Sequence, residues 1–143
     1  MLGGGVAVII YSSEMKSHVK EIDKQHQWLI DLINAFDSIE TKKLTDAKIE
    51  KMLTLLSDYV VGHFSYEEDL MLENGYTDYE WHSNWHRSYI VKLDGLKTEF
   101  LNNGLSEEFV HILNEFVVKW IVTHIKNVDV KFGAFINEKK RKK

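Results

Sequence analysis

The sequence predicts an all-α protein: an up-down-up-down antiparallel four-helix bundle with an N-terminal arm. Three observations carry that expectation. Apolar residues recur at helical spacing in four separate stretches. The 143 residues contain no proline, the commonest helix breaker. Short polar links between the stretches carry helix stop and start signals, and links this short join antiparallel neighbours.

The first stretch places Ile22, His26, Leu29, Ile30, Ile33 and Phe36 on one face. The link from Glu40 to Leu44 follows, with Thr45 or Asp46 as the cap of the next helix. That second helix shows Ile49, Met52, Leu53, Leu56, Tyr59, Val60, His63, Glu67, Leu70 and Met71. Asn74-Gly75 reads as its C-terminal stop, and Thr77 with Glu80 reads as a capping box for the third. The third helix repeats Tyr79, His82, His86, Tyr89, Leu93, Leu96 and Phe100, and Asn102-Asn103-Gly104 ends it. Ser106, followed by Glu107 and Glu108, starts the fourth, which carries Val110, Leu113, Val117, Trp120, His124 and Val128.

Composition bounds the function. At 44% hydrophobic and 12% aromatic residues the chain has enough apolar surface to build a core. It divides into an arm (1–18), the bundle (19–132) and a basic C-terminal tail (133–143). The absence of cysteine excludes disulfides, thiolate metal sites and cysteine nucleophiles together. The net charge of −4 is uneven: residues 139–143 are all basic, and the remainder sets 13 basic residues against 22 acidic ones, or −9. An acidic body argues against nucleic acid as the main partner. The tail reads as a solvated helix end. The first residues, Met-Leu-Gly-Gly-Gly, read as a flexible start, and the Val-Ala-Val-Ile-Ile-Tyr that follows as an apolar arm packed on the bundle. No stretch reaches membrane-spanning length, so the expectation is a cytoplasmic protein without a membrane partner.

Five histidines and two carboxylates then stand out: His26, His63, Glu67, His82, His86, His124 and Asp129. His26 lies near the start of the first helix, His63 and Glu67 near the end of the second, His82 and His86 near the start of the third, and His124 and Asp129 towards the end of the fourth. In an up-down-up-down bundle those four ends coincide. Residues four apart differ by roughly 40° around a helix, so the middle pairs each share a face. His124 and Asp129 are five apart, a step of roughly 140°, and share a face only if the helix widens there, as at a π-bulge. A lone His-x-x-x-His is more often accidental than functional, but seven such groups at one level would compete for partners without a cation among them. Imidazole nitrogen with carboxylate oxygen suits iron and its neighbours. Seven ligands exceed one octahedral ion, so two ions sharing bridging carboxylates are the economical arrangement, with one ion left an open position.

The segments Ile22-Asp23-Lys24-Gln25-His26, His63-Phe64-Ser65-Tyr66-Glu67-Glu68-Asp69-Leu70-Met71, His82-x-x-x-His86 and Trp120-Ile121-Val122-Thr123-His124-Ile125-x-x-x-Asp129 resemble the hemerythrins, above all their single-domain bacterial members. The likeness spans about residues 11–132 and matches all seven positions. It implies two iron ions (Fe2+/Fe3+) with a bridging oxo or hydroxo group, binding dioxygen reversibly for storage, delivery or sensing. On the same likeness His82, His86 and His124 hold one iron, His26 and His63 hold the iron with the open position, and Glu67 and Asp129 bridge. Five imidazoles against two carboxylates stabilise the ferric state less than carboxylate-rich sites do, which favours reversible binding over oxidative chemistry. Leu29, Phe64, Ile121 and Val122 are the candidate walls of an oxygen pocket, and each also reads as ordinary core.

The chain departs from the family pattern at Tyr11, where tryptophan is frequent, at His18, where a small residue is usual, and at Phe132, where tyrosine is common. His18 reads as a surface residue, and His111, roughly 220° around the helix from His124, should face solvent. Two rival functions stay open. One is a di-iron enzyme acting on nitric oxide or peroxide, which needs a positioned acid or base such as Glu68 or Tyr66. The other is an iron-handling or regulatory module working with a redox or signalling partner.

Overall fold

With no proline to stop them, two of the helices end at glycines and two begin at capping side chains. The computed structural model describes residues 9–142 and shows four long antiparallel helices and, among the described residues, no strand. We label them α1 (Lys20–Asp37), α2 (Asp46–Glu73), α3 (Tyr79–Asn103) and α4, which runs over 107–141. Residues 1–8, where the flexible start and half of the apolar stretch were placed by sequence, lie outside the described residues.

Thr45 caps α2 by accepting the Lys48 backbone N–H, and Ser106 caps α4 by accepting that of Phe109. The stop after α2 is a Schellman motif: Gly75 adopts φ +66°, its N–H reaches Leu72 O, and the Tyr76 N–H reaches Met71 O. Gly104, at φ +71°, ends α3. The capping box expected from Thr77 is not formed. α3 starts one residue later with Asp78 at its cap position, and no side chain caps it there. The Schellman turn buries Tyr76, the Tyr79 N–H bonds back to Tyr76 O, and the Asp78 carboxylate pairs with Lys131 at 2.8 Å instead.

α4 is one continuous helix containing two π segments, Phe116–Trp120 and Ile125–Asp129. It does not give way to a tail after residue 132. The last stretch, Val130–Arg141, stays helical because Phe132, Gly133 and Ile136 are buried against the rest of the bundle. This end is clamped to the arm: Asn137 donates to both Ser17 O (3.1 Å) and Gly133 O (2.9 Å). Asp23 accepts from the backbone N–H groups of Ser17 and His18 and from the Ser17 hydroxyl, which fixes the entry into α1. Farther up, the Asn34 amide pairs with both backbone groups of Ile9.

The core has two parts. A large cluster runs from Leu29, Ile30 and Ile33 through Val60, Phe64, Tyr89 and Ile121 to Leu113 and Phe100. A small one, Val19, Ile22, Met71, Tyr76, Phe132 and Ile136, closes the opposite end. Five of the seven polar groups lie in sequence where the members of the two clusters meet on α1, α2 and α4, and His82 and His86 join them from the start of α3. They therefore form a polar layer sealed above and below by apolar side chains.

Candidate metal centre

All seven side chains are buried, none more than 4% exposed. They come from four helices and meet as two overlapping sets, each with ligand atoms within 4.8 Å of one another. One set is Glu67, His82, His86, His124 and Asp129; the other is His26, His63, Glu67 and Asp129. The two carboxylates belong to both.

The imidazoles approach through Nε2. His82 and His124 reach Asp129 Oδ1 at 3.0 Å each, and His26 reaches Asp129 Oδ2 at 2.8 Å. His86 and His63 lie 3.2 and 3.4 Å from Glu67 Oε1, and the His26 and His63 Nε2 atoms are 3.2 Å apart. Most of these approaches are close without being directed as hydrogen bonds. Both oxygens of Glu67, Asp129 Oδ2 and the Nε2 atoms of His86 and His124 have no hydrogen-bond partner within the protein. So many converging, unpartnered lone pairs in a dry layer fit cations placed among them, and the nitrogen–oxygen donor set suits borderline divalent metals.

The fourth helix reaches the cluster through its π segment. With i→i+5 bonding over Ile125–Asp129, residues five apart come nearly into line, and the His124 ring and Asp129 carboxylate face the same point. The widening expected from their spacing is present. The second π segment, one turn earlier, was not foreseen.

Outside the cluster, two side chains orient the rings. His63 Nδ1 contacts Gln25 Oε1 at 2.5 Å, and His86 Nδ1 contacts Glu68 Oε2 at 2.8 Å. Both oxygens are acceptors, so each ring carries its proton on Nδ1 and turns the Nε2 lone pair inward. Glu68 is held by the Ser83 hydroxyl at 3.1 Å, and Gln25 O accepts the Tyr59 hydroxyl. Glu68 therefore faces the back of a histidine, not the interior where an acid–base group would act. Sequence reasoning missed these roles. The only available signal was adjacency, Gln25 beside His26 and Glu68 beside Glu67.

The electrostatics are those of a coupled polar layer. Burial pushes Asp129 up, but His124 and His26 hold its carboxyl well below the usual range. Glu67 likewise resists burial and the Asp129 charge, and its surrounding histidines, His63 foremost, hold it down at about 2. For His82, burial is outweighed by Asp129 and Glu67, which raise it to about 9, and His26 is raised in the same way, chiefly by Asp129. Burial wins at His63, lowered to about 4, and at His124, also lowered. The two carboxylates thus favour the charged form of His82 and His26, and burial favours the neutral form of His63 and His124.

A small apolar cavity adjoins the two-histidine set. It offers about 10 Å3 of room for the centre of a water-sized molecule and is lined by His26, His63, His124, Asp129, Leu29, Val60, Phe64, Tyr89, Trp120, Ile121 and Ile125. Of the pocket residues expected from sequence, Leu29, Phe64 and Ile121 line it. Val122 does not: it is half-buried and packs on the outside of the large cluster. His18, at φ +63°, and His111 are exposed, as expected.

A helical bundle enclosing a histidine–carboxylate cluster able to hold metal defines a metal-binding four-helix protein. The chain belongs to the hemerythrin family: the model of the hemerythrin HHE cation binding domain matches residues 17–136. It is 32% identical over 127 residues to a bacteriohemerythrin of Methylococcus capsulatus, covering 88% of this chain and 94% of that one. A hemerythrin-like protein of Naegleria gruberi is 32% identical over 116 residues, covering 81% and 83%. A solved wild-type hemerythrin superposes with a TM-score of 0.76 at 29% identity, covering 90% of this chain and 97% of that one. Among the described residues, no helix is long and apolar enough to cross a membrane.

Proposed function

We propose that this chain is a non-haem di-iron protein that binds dioxygen reversibly. His82, His86 and His124 would hold one iron and His26 and His63 the other, with Glu67 and Asp129, common to both donor sets, shared between them. Two iron ions held there, with an oxo or hydroxo group between them, would supply the electrons and the binding position that dioxygen needs.

The observation that carries this reading is the cavity. It touches His26, His63, His124 and Asp129 and is otherwise lined by apolar and aromatic side chains, with room on the order of one water molecule. A few-atom ligand fits such a space and an organic substrate does not. Leu29, Val60, Phe64, Ile121 and Ile125 exclude water and keep stray protons from a ligand held there. Gln25 and Glu68 fix the orientation of His63 and His86.

The enzyme reading needs an acid or base at the cavity. Apart from the ligand candidates, the titratable side chain lining it is Tyr89, which full burial makes a weaker acid still. That arrangement favours binding over turnover. The test is anaerobic loading with ferrous iron, metal analysis, then an oxygen titration followed by resonance Raman. Two irons per chain and a visible band that forms with oxygen and disappears under argon are expected. A band that never reverses, or rapid steady turnover of nitric oxide or peroxide, overturns reversible binding in favour of catalysis. Preferential retention of zinc or manganese would favour metal handling.

A further inference from the structure

Trp81 and Trp85 lie one turn apart on α3 and remain 42% and 41% exposed. Large rings left together in water mark a surface with a use. They form one wall of a groove of about 540 Å3 between α3 and α4, with Ile112, Phe116, Trp120 and Val128 opposite. Sites for drug-sized ligands span roughly 300–1,000 Å3.

The charged side chains of the groove carry a cationic excess, beside the uncharged Thr123 and Asn127. Lys92 from α3 and Lys119 from α4 line it against a single acid, Glu115. Glu115 is already shared between Lys119 (3.5 Å) and His111 (3.6 Å). Lys131 lies over the Trp81 ring, 4.6 Å from its centroid. Lys131 is itself paired with Asp78, so the lining charges, Lys92 and Lys119 against Glu115, leave one net positive charge in a chain of net charge −4. Cations at a low-dielectric cleft draw anions to it, and tryptophan faces stack base-sized rings whatever their edge chemistry. A second copy of the chain suits the groove less well, because a twofold contact centred here would bring like cations together.

We propose that this groove binds a planar aromatic anion of mononucleotide size, its ring stacked on Trp85 and its charge held by Lys92 and Lys119. The bound ring would sit close to the metal centre. His124 itself lines the groove, Trp120 stacks on the His124 ring at 4.7 Å and 12°, and Trp85 meets Trp120 at 6.3 Å. The proposal does not depend on which metal the cluster holds.

Flavin mononucleotide, a planar aromatic anion with its own emission, is the probe. Titrated against the full purified chain with metal content measured in parallel, it should show saturable quenching at any iron content. Trp85→Ala and the double change Lys92→Glu with Lys119→Glu should each weaken binding about tenfold or more, on the scale expected for loss of a stacking or charge contact. Riboflavin, which lacks the phosphate, should bind more weakly than the mononucleotide. All three changed residues are exposed, and circular dichroism checks that the variants fold. Unsaturable quenching, unaltered binding by Trp85→Ala, or equal binding of riboflavin overturns the proposal. So does a concentration-dependent dimer that Trp85→Ala dissociates.

Discussion

His124 Nε2 and Asp129 Oδ1 lie 3.0 Å apart although five residues separate them on α4. A regular helix would turn the carboxylate away from the ring; the π segment over Ile125–Asp129 brings it back. Asp129 is also the group that ties α4 to α1 and α3, through His26 and His82.

Asp129→Asn should therefore cost more metal than loss of a single terminal ligand. It keeps the shape of the side chain and removes a charge common to both donor sets. The expected outcome is retention of one metal ion or fewer per chain with helix content preserved. Metal analysis after gel filtration reads it, and a full complement of metal would remove Asp129 from the ligand set.

Glu68→Ala tests the positioning of a ligand from outside the cluster. The substitution frees the His86 ring from its 2.8 Å partner without touching the interior. Loss of such an outer partner typically weakens metal affinity roughly 10–100-fold. Competition against a chelator of known affinity measures the change, and Glu68→Gln, which keeps an acceptor oxygen, should recover part of it. Equal affinities for all three proteins would show that His86 needs no orienting group.

Metal uptake should release protons. With no cation bound, His82 (about 9) carries a proton at neutral pH and His26 is biased towards its charged form, and a metal ion requires both rings neutral. Loading at pH 7 should release up to about two protons per chain, falling towards none above the His82 value. Calorimetric titrations in buffers of different ionisation enthalpy count them. Proton uptake on loading would contradict the balance of charges described above.

The same shifts shape the stability of the metal-free chain. His63 and His124 have lowered values, so the unfolded chain takes up their protons first and stability is lost as pH falls from about 6.5 towards 4. Glu67 and Asp129, also lowered, contribute stability above the ordinary carboxylate range, and that contribution is lost below about pH 4. His26 and His82 are raised, so their contribution is full below about 6.5 and is lost as pH climbs through their folded values, for His82 about 9. Thermal unfolding across pH should show a maximum near 6.5, and filling the site with metal should flatten the alkaline side. A metal-free chain most stable at pH 9 would reverse the signs.

Gly133→Ala probes the clamp between α4 and the arm. A methyl group there would lie 2.2 Å from Ser17 O, which is backbone and cannot swing aside. Overpacking of this kind costs roughly 1–3 kcal/mol, and a fall of several degrees in Tm is expected. An unchanged Tm would mean that Ser17 and Asn137 do not hold this end closed.

How much of this was legible beforehand differs by residue. Thr45, Ser106, Gly75 and Gly104 could be read as boundaries because capping is a local transaction between a side chain and a backbone three or four residues away. Thr77 failed as a cap because a distant residue, Lys131, and the burial of Tyr76 set where α3 begins. The stretch after residue 132 is likewise shaped by distant contacts. Its charge suggests solvent, but Phe132 and Ile136 find a partner surface that only the closed end of the bundle provides.

The cluster was visible in the sequence because α2 and α3 each contribute a pair one turn apart and because antiparallel packing brings alternate ends together. Those are properties of helix geometry, and the chain carries them in its spacing. What only the tertiary structure decided are the contacts between residues with no fixed register. Gln25 falls behind His63, 38 residues away, and Glu68 behind His86, 18 away. Val60, Tyr89, Trp120 and Ile125 join the cavity wall while Val122 packs outside it. Periodicity fixes which side of a helix a residue takes, but the rotation and depth at which the helices pack decide which side chains on that face meet.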